Sequence, residues 1–333
     1  MNFVRKKAVA LVSSGLDSML AAFIVKRLNI EVVGLHCVFR FDPNLESDNR
    51  PPIKNRFLPA GIPVIVRDVT AEFLPVVLKP DHGYGSQVNP CIDCKIFMFK
   101  RSKELMQEAE ADFLVTGEVL GQRPMTQTRS MMIHIEKESG LRGLVLRPLC
   151  ALHMEMTVPE QQGWIDREQL FAFAGRGRKD QIALAKTLGI KEYEQPAGGC
   201  ILTNPQFAAR ARALLKFRKV EEIQIADFQL LHLGRHFWPN PSLHCIVGRN
   251  EQDNAILERF CEGRAAIEPK HIPGPLALAE TREQDDIELC SRIVARYCKH
   301  RGQPVLMECR LGDRIFEIEA NPLKESETAV WRV

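Results

Sequence analysis

Apolar positions along the chain fall into short runs separated by polar stretches, and the period of the runs changes from one to the next. Ala8–Val12 is an unbroken apolar run of strand length. From Ser18 the period becomes helical, with Leu20, Phe23, Ile24 and Leu28 on one face and Lys26 and Arg27 off it. Glu31–Val38 and Pro63–Asp68 predict buried strands. Between them residues 39–62 are polar and Pro-rich and predict a long excursion, not a core element. Cys91–Glu110 predicts a helix after Pro90, followed by a strand at Phe113–Thr116. Strand, helix, strand, helix in this order predicts an α/β fold with a parallel sheet, its ligands at the carboxyl ends of the strands.

Residues 157–190 predict mostly helix, with two short helices around Gly175 and Gly177 and a basic hinge, Arg176-Gly177-Arg178-Lys179, facing solvent. After Cys200 the texture changes. Gln206–Lys219 predicts a basic helix; Ser242–Val247, Pro304–Glu308 and Arg314–Glu319 predict strands, and Asp285–His300 another helix. The expectation is a domain over residues 1–205 followed by a smaller α+β domain over 206–333. A length of 333 residues suits two domains. With 45% hydrophobic and 26% charged residues, disorder, collagen-like and low-complexity classes are excluded. A net charge of +3 means that any nucleic acid would be held by local patches. No apolar run approaches the roughly 18 residues needed to span a bilayer. The apolar opening ends at Ser13-Ser14 without a small-residue cleavage site, so no membrane partner and a cytoplasmic location are expected.

Ten cysteines in a chain long enough to bury a core predict free thiols, not staples. Cys37 and Cys245 sit in strand-like runs and are expected as small buried hydrophobes, as are Cys150, Cys261, Cys290, Cys298 and Cys309. Cys91, Cys94 and Cys200 have different surroundings. Cys91 and Cys94 stand three apart in a first helical turn, on the same side, where the positive helix end is expected to lower thiol pKa. Alone, this spacing also fits half a zinc site or a redox pair. Cys200 ends the Gly-rich Pro196-Ala197-Gly198-Gly199-Cys200.

Ser13-Ser14-Gly15-Leu16-Asp17-Ser18 lies between a strand and a helix. Small residues there let backbone N–H groups approach an anion, and the helix end adds partial positive charge. Ser13 and Ser18 can donate to phosphate, and Asp17 can hold Mg²⁺ or cap the helix. A plain capped turn has the same composition. The hexapeptide resembles the SGGxDS pyrophosphate loop of the ATP-pyrophosphatase (PP-loop) superfamily, with Ser14 at a glycine position; a positive φ there would strain serine. Cys91-Ile92-Asp93-Cys94-Lys95, Thr116-Gly117-Glu118-Val119-Leu120-Gly121-Gln122 and Thr126-Gln127-Thr128 together resemble the core of the tRNA 4-thiouridine synthetase (ThiI-like) family, over roughly residues 6–205.

That resemblance implies a PP-loop fold, ATP and Mg²⁺ as cofactors, and ATP-dependent thiolation of a tRNA uridine, with 4-thiouridine favoured over the 2-thio product. It implies that the loop Ser13, Ser14, Gly15, Leu16, Asp17 and Ser18, together with Gly117 and Gln127, contacts the nucleotide, and that Lys95 approaches its phosphates. Cys200 matches the family's catalytic cysteine, and Cys91, Cys94 and Cys200 are implied to converge. Three thiolates suit a [4Fe–4S] cluster with one open iron; the competing scheme is a persulfide on Cys94 or Cys200, resolved by the other as a disulfide. Sulfide or a protein persulfide would be the sulfur donor. Because the loop begins at residue 13, RNA binding is left to the second domain, where Ile246-Val247-Gly248-Arg249-Asn250-Glu251-Gln252-Asp253-Asn254 is similar to the signature of NFACT-type RNA-binding domains. Arg210, Arg212, Lys216, Arg218 and Lys219 are the expected phosphate-contacting stripe, although residues 201–333 carry 19 Lys+Arg and 19 Asp+Glu. A sulfur-insertion enzyme for a small molecule and a non-catalytic RNA binder are the other classes considered. Salt-dependent tRNA binding separates the first from the thiolase, and AMP release separates the second.

Overall fold

Strand β1 (Lys7–Leu11) is apolar on both faces because both are covered. It leads through a short loop into α1 (Leu16–Arg27), and the chain returns as β2 (Glu31–Val38), α2 (Ile53–Phe57) and β3 (Val64–Asp68). Helices α3 (Thr70–Leu78) and α4 (Cys91–Glu108), strand β4 (Phe113–Thr116), α5 (Arg129–Glu138), β5 (Val145–Leu146), α6 (Val158–Gln161) and α7 (Lys179–Thr187) follow. The computed structural model describes residues 5–43, 52–194 and 200–333. Within them the chain divides into two units, Met1–Phe39 with Asp48–Cys200 and Arg40–Ser47 with Ile201–Val333.

Among the described residues the first unit holds a parallel sheet in the order β3-β2-β1-β4-β5. Alternation along β1 sends Ala8 and Ala10 to the α1 side, with Leu16, Leu20 and Phe113, and Val9 to the α4 side, with Ile96, Phe99 and Leu105. The order reverses between β1 and β4, so the turns leaving those two strands flank a crevice at their carboxyl ends. The expected strands Glu31–Val38 and Phe113–Thr116 are as read. Residues 39–62 are not merely an excursion: Phe57 is fully buried against Phe23, and Phe41 is buried against Phe228 in the second unit. A short apolar insert within a polar stretch has no period by which to be recognised. Residues 157–190 hold less helix than expected, because residues 170–178 stay extended or turned, with Gly175 at φ +80°.

The second unit continues with α8 (Pro205–Phe217), α9 (Ile225–Leu230), β6 (Arg235–Asn240), β7 (Leu243–Val247), α10 (Glu251–Leu257), β8 (Ala265–Pro269), β9 (Ala277–Ala279), α11 (Gln284–Ala295), β10 (Val305–Leu311), β11 (Arg314–Ala320) and α12 (Glu325–Ala329). Its strands form an antiparallel sheet in the order β11-β10-β8-β9-β7-β6. The apolar stripe of α11 (Ile287, Cys290, Ile293, Val294) packs on one face, and Leu230, Ile256 and Leu257 cover the other. Of the expected phosphate stripe, Arg212, Lys216 and Lys219 are exposed, and two members are engaged internally. Arg210 is buried, donating to the Leu231 and Gly234 carbonyls at 2.7 and 3.0 Å, and Arg218, beyond the helix end, pairs with Glu280. Much of the NFACT-like signature is scaffolding. Asn250 caps α10, Asp253 accepts from the Gly234 and Arg249 N–H groups, and Asn254 Oδ1 accepts from Leu276 N–H.

Two buried histidines, His236 and His244, face each other at 2.9 Å. Burial, helped by the Arg210 charge, pushes His236 down to about 3, and burial with the charge of His236 holds His244 well below its ordinary value. In the unfolded chain both would protonate near 6.5, so their contribution is complete above about pH 6.5 and is lost as pH falls toward the folded values. Melts between pH 7 and 5, above the carboxylate range, should show the second unit losing about 1.4 kcal/mol per histidine per pH unit well below 6.5. A melting temperature flat across that window would overturn the assignment.

Candidate active site

The turn after β1 is built from its own short side chains. Ser13 N–H donates to Ser18 Oγ at 3.0 Å, the two hydroxyls stand 3.0 Å apart, and Gly15 N–H donates to Ser13 Oγ at 3.2 Å. Gly15 then caps α1, which presents its N-terminus to the crevice. Ser14 is not among the residues with positive φ, so serine at this glycine position carries no left-handed strain. Its hydroxyl donates to Glu194, and its carbonyl accepts from Arg56 Nη1 at 2.9 Å and Glu194 N–H at 3.0 Å.

The turn after β4 comes against this loop at Gly117. A Cβ there would lie 2.4 Å from the Asp17 carbonyl carbon and from Ser18 N, so only glycine admits this approach. Asp17 Oδ2 accepts from Gln122 Nε2 at 3.1 Å and from Arg178 Nη2 at 3.3 Å. Its Oδ1 is buried without a hydrogen-bond partner among the described residues, and so is Gln127 Oε1. Lys95 Nζ stands 3.4 Å from Glu118 Oε1. Burial alone would raise the Glu118 carboxyl, but the charges of Lys95 and Arg147 and the hydrogen bonds from Arg147 and Thr116 hold it below its ordinary value. The buried chain runs on from Glu118 through Arg147 to Glu136.

These groups line one pocket of about 680 Å³. Ser13, Ser14, Gly15, Asp17, Ser18, Lys95, Gly117 and Gln127 all contribute to it. Leu16 does not: its side chain is fully buried in the α1 core. Arg176 and Arg178, expected to face solvent, also line the pocket. The hinge folds back because Arg178 meets the Asp17 carboxylate, and nothing in its sequence pattern signals that partner. Cys37 is half-buried, packing against the core on the α4 side as expected and also lining the pocket. Thiols in the described residues are otherwise largely as read, with Cys150, Cys245, Cys290, Cys298 and Cys309 buried and Cys261 half-buried.

Cys91 opens α4 and receives a hydrogen bond from Asn89 Nδ2 at 3.1 Å; Cys94 N–H donates to the Pro90 carbonyl at 2.8 Å. The expected lowering of thiol pKa by the helix end is reversed at Cys94. Dense surroundings push it up to about 12 despite Lys95, and the thiols of Cys200, Cys91 and Cys37, in that order, add to the rise. The exposed Cys200 therefore lies within electrostatic reach of Cys94. Residues 196–199 of the expected Gly-rich turn lie outside the described residues. Among the described residues no three His, Cys, Asp or Glu side chains are gathered closely enough to hold a metal ion, and no helix is long and apolar enough to cross a membrane.

Residues 3–159 match the family model for the thiamine biosynthesis protein ThiI, and residues 234–332 match that for the NFACT protein RNA binding domain. A probable tRNA sulfurtransferase of Thermococcus kodakarensis is 30% identical over 154 residues, covering 46% of this chain and 39% of that protein. A probable tRNA sulfurtransferase of Methanobrevibacter smithii is 28% identical over 150 residues, covering 44% and 38%. The chain thus spans about two fifths of the length of these curated relatives. A solved 4-thiouridine synthetase–RNA complex with bound ATP aligns over 68% of this chain and 52% of its own, at 21% identity and a TM-score of 0.41. Two successive stretches of the chain are thus similar to two different families, residues 3–159 to ThiI and residues 234–332 to the NFACT-type RNA-binding domain.

Proposed function

We propose that the chain is an ATP-dependent tRNA sulfurtransferase that makes 4-thiouridine. The observation that carries this reading is the single pocket in which the Ser13–Ser18 loop, Lys95, Gly117 and Gln127 meet, with an unpartnered Asp17 oxygen and the Cys37 thiol in its lining, and Cys94 within electrostatic reach of Cys37, Cys91 and Cys200. A uracil carbonyl is a poor leaving group. Its oxygen attacks the α-phosphorus of ATP, the bond to the β-phosphate breaks and pyrophosphate leaves. Sulfur then adds to the activated carbon and AMP departs with the former carbonyl oxygen.

The N-terminus of α1 and the Ser13 and Ser18 hydroxyls hold the pyrophosphate portion, and Lys95, anchored by Glu118, meets its charge. Asp17 fits Mg²⁺, because one carboxylate oxygen is fixed by Gln122 and Arg178 while the other is buried without a partner. Magnesium is held through one or two carboxylates together with substrate phosphates, which this arrangement supplies. Cys91, Cys94 and Cys200 would hold a [4Fe–4S] cluster. Three soft donors, with Cys94 responding to both of the others, are the right chemistry for it, although in this structure they stand too far apart to share an ion without drawing together. When bound, such a cluster would supply sulfide at its open iron. The sulfur source is sulfide or a protein persulfide.

Protein purified without oxygen, given unmodified tRNA, Mg-ATP and sulfide, should yield 4-thiouridine in the nucleoside digest, with one AMP released per sulfur inserted. An absorbance typical of 2-thiouridine would move the product to the other carbonyl. AMP release without any thiolated nucleoside would turn the search to small-molecule acceptors. Iron and acid-labile sulfide should accompany the protein and be lost in Cys91→Ala. Iron-free protein that thiolates tRNA only from a protein persulfide donor, and is left with a Cys94–Cys200 disulfide after the sulfur is transferred, would instead assign the transfer to a Cys94 or Cys200 persulfide.

A further inference from the structure

Outside this site, a gathering of arginines lies wholly within the second unit. Arg210, Arg235, Arg249, Arg296 and Arg332 line a pocket of about 440 Å³ beside Tyr297. They come from α8, β6, the turn before α10, the end of α11 and the segment after α12, so the tertiary fold assembles them and no local run in the sequence does. Two are oriented by one ring: the Arg235 and Arg296 guanidiniums lie 4.7 and 5.6 Å from the centre of Tyr297.

Local carboxylates leave much of this charge unanswered. Asp253 takes Arg249 through both of its oxygens. Arg296 meets Glu325 at 3.0 Å, but Glu325 is 80% exposed and such a pair is weak in water. Guanidiniums outnumber side-chain carboxylates five to two. Arg210 is 6% exposed, and its Nε is buried without a hydrogen-bond partner among the described residues. Burial, with the like charges of Arg249 and Arg332, pushes its pKa down to about 10. A cationic pocket of forked donors around a rigid ring suits an anion with several acceptor oxygens.

We propose that this arginine pocket binds a phosphate group of the RNA strand. The assignment rests on the reading that the chain acts on tRNA. It gives the second unit a discrete binding site besides the α8 stripe, of which Arg210 and Arg218 are engaged internally.

The test uses the full chain and filter binding of tRNA across a series of monovalent salt concentrations. The variants are Arg332→Gln, which is exposed, and the double variant Arg235→Gln/Arg296→Gln, each checked by a thermal melt and by ATP binding. Each lost phosphate contact should lower the slope of log affinity against log salt by about 0.7 to 0.9, with the double variant binding on the order of tenfold more weakly and ATP binding unchanged. If the double variant does not fold, Arg332→Gln alone decides. tRNA stripped of terminal phosphates separates the two sources: unchanged binding assigns a backbone phosphodiester, and lost binding assigns a terminal phosphate. Wild-type affinity and slope in the folded variants would overturn the pocket, even if tRNA were thiolated normally. Pocket-dependent tRNA binding without any thiouridine would leave the pocket standing and remove the thiolation reading.

Discussion

Asp17→Asn is expected to lower ATP-dependent AMP release by at least about 100-fold while leaving tRNA binding unchanged. Replacing one oxygen by an amide keeps the size of the side chain and removes its charge. Gln122 Nε2 and Arg178 Nη2 still have a carbonyl to meet if the amide turns it toward them. What disappears is the second anionic oxygen, the one buried without a partner beside the N-terminus of α1. A metal ion neutralising phosphate charge contributes several kcal/mol to the transition state, and each 1.36 kcal/mol is a factor of ten in rate. Single-turnover assays with labelled ATP read the effect directly. AMP release within threefold of the wild type would remove Asp17 from the reaction and, with it, the assignment of the loop.

Arg147→Met should destabilise the first unit by about 3–5 kcal/mol. Arg147 is 3% exposed and lies between Glu118, 2.9 Å from its Nε, and Glu136. Without the guanidinium two buried carboxylates face each other, and Glu118 retains only Lys95 and Thr116. The pH dependence has a definite sign. Because Glu118 is held below its ordinary value in the folded state, its contribution is complete above the unfolded value near 4.5 and is lost as pH falls through the folded one. Urea unfolding of the wild type should therefore weaken below about pH 4.5, and this part of the slope should shrink or invert in the variant. A midpoint unchanged by Arg147→Met at pH 7 would show that the pair is not what holds the turn after β4.

Lys95 joins this structural chain to the chemistry. Its ammonium faces the pocket and is anchored on Glu118, so the buried ion pairs that stabilise the sheet also place a charge where the proposed reaction has phosphate. Arg178 has the same double character, closing a basic hinge onto the Asp17 carboxylate. In both cases the functional partner is distant in sequence, 23 residues for Lys95 and 161 for Arg178.

Much was legible in one dimension. Strands buried on both faces must be continuously apolar, which is why Glu31–Val38 and Phe113–Thr116 stand out with their ends in place. A loop of serines and glycine between a strand and a helix can do little other than turn and offer N–H groups, so Ser13–Ser18 marked the crevice. The spacing of Cys91 and Cys94 placed both thiols in the first turn of α4. These features are local: each depends on backbone periodicity, turn chemistry or the composition of a few adjacent residues.

Other features depended on what the fold brings alongside. The pKa of Cys94 is set by dense surroundings and three other thiols, which outweigh the helix end that its sequence position implied. Cys37 became a pocket residue because β2 lies next to β1 at the carboxyl edge of the sheet, while Phe41, from the polar stretch that follows β2, was taken into the second unit. On α8 the sequence determined a row of basic residues, but burial made Arg210 an internal donor and pairing with Glu280 occupied Arg218. The arginine pocket gathers its members from five separate places in the chain. Sequence alone determines where this protein forms strands, helices and the serine-rich turn after β1, since those follow from short-range geometry. Tertiary structure decides which charges are left unanswered, because desolvation and Coulomb interactions act across space between residues far apart in the chain.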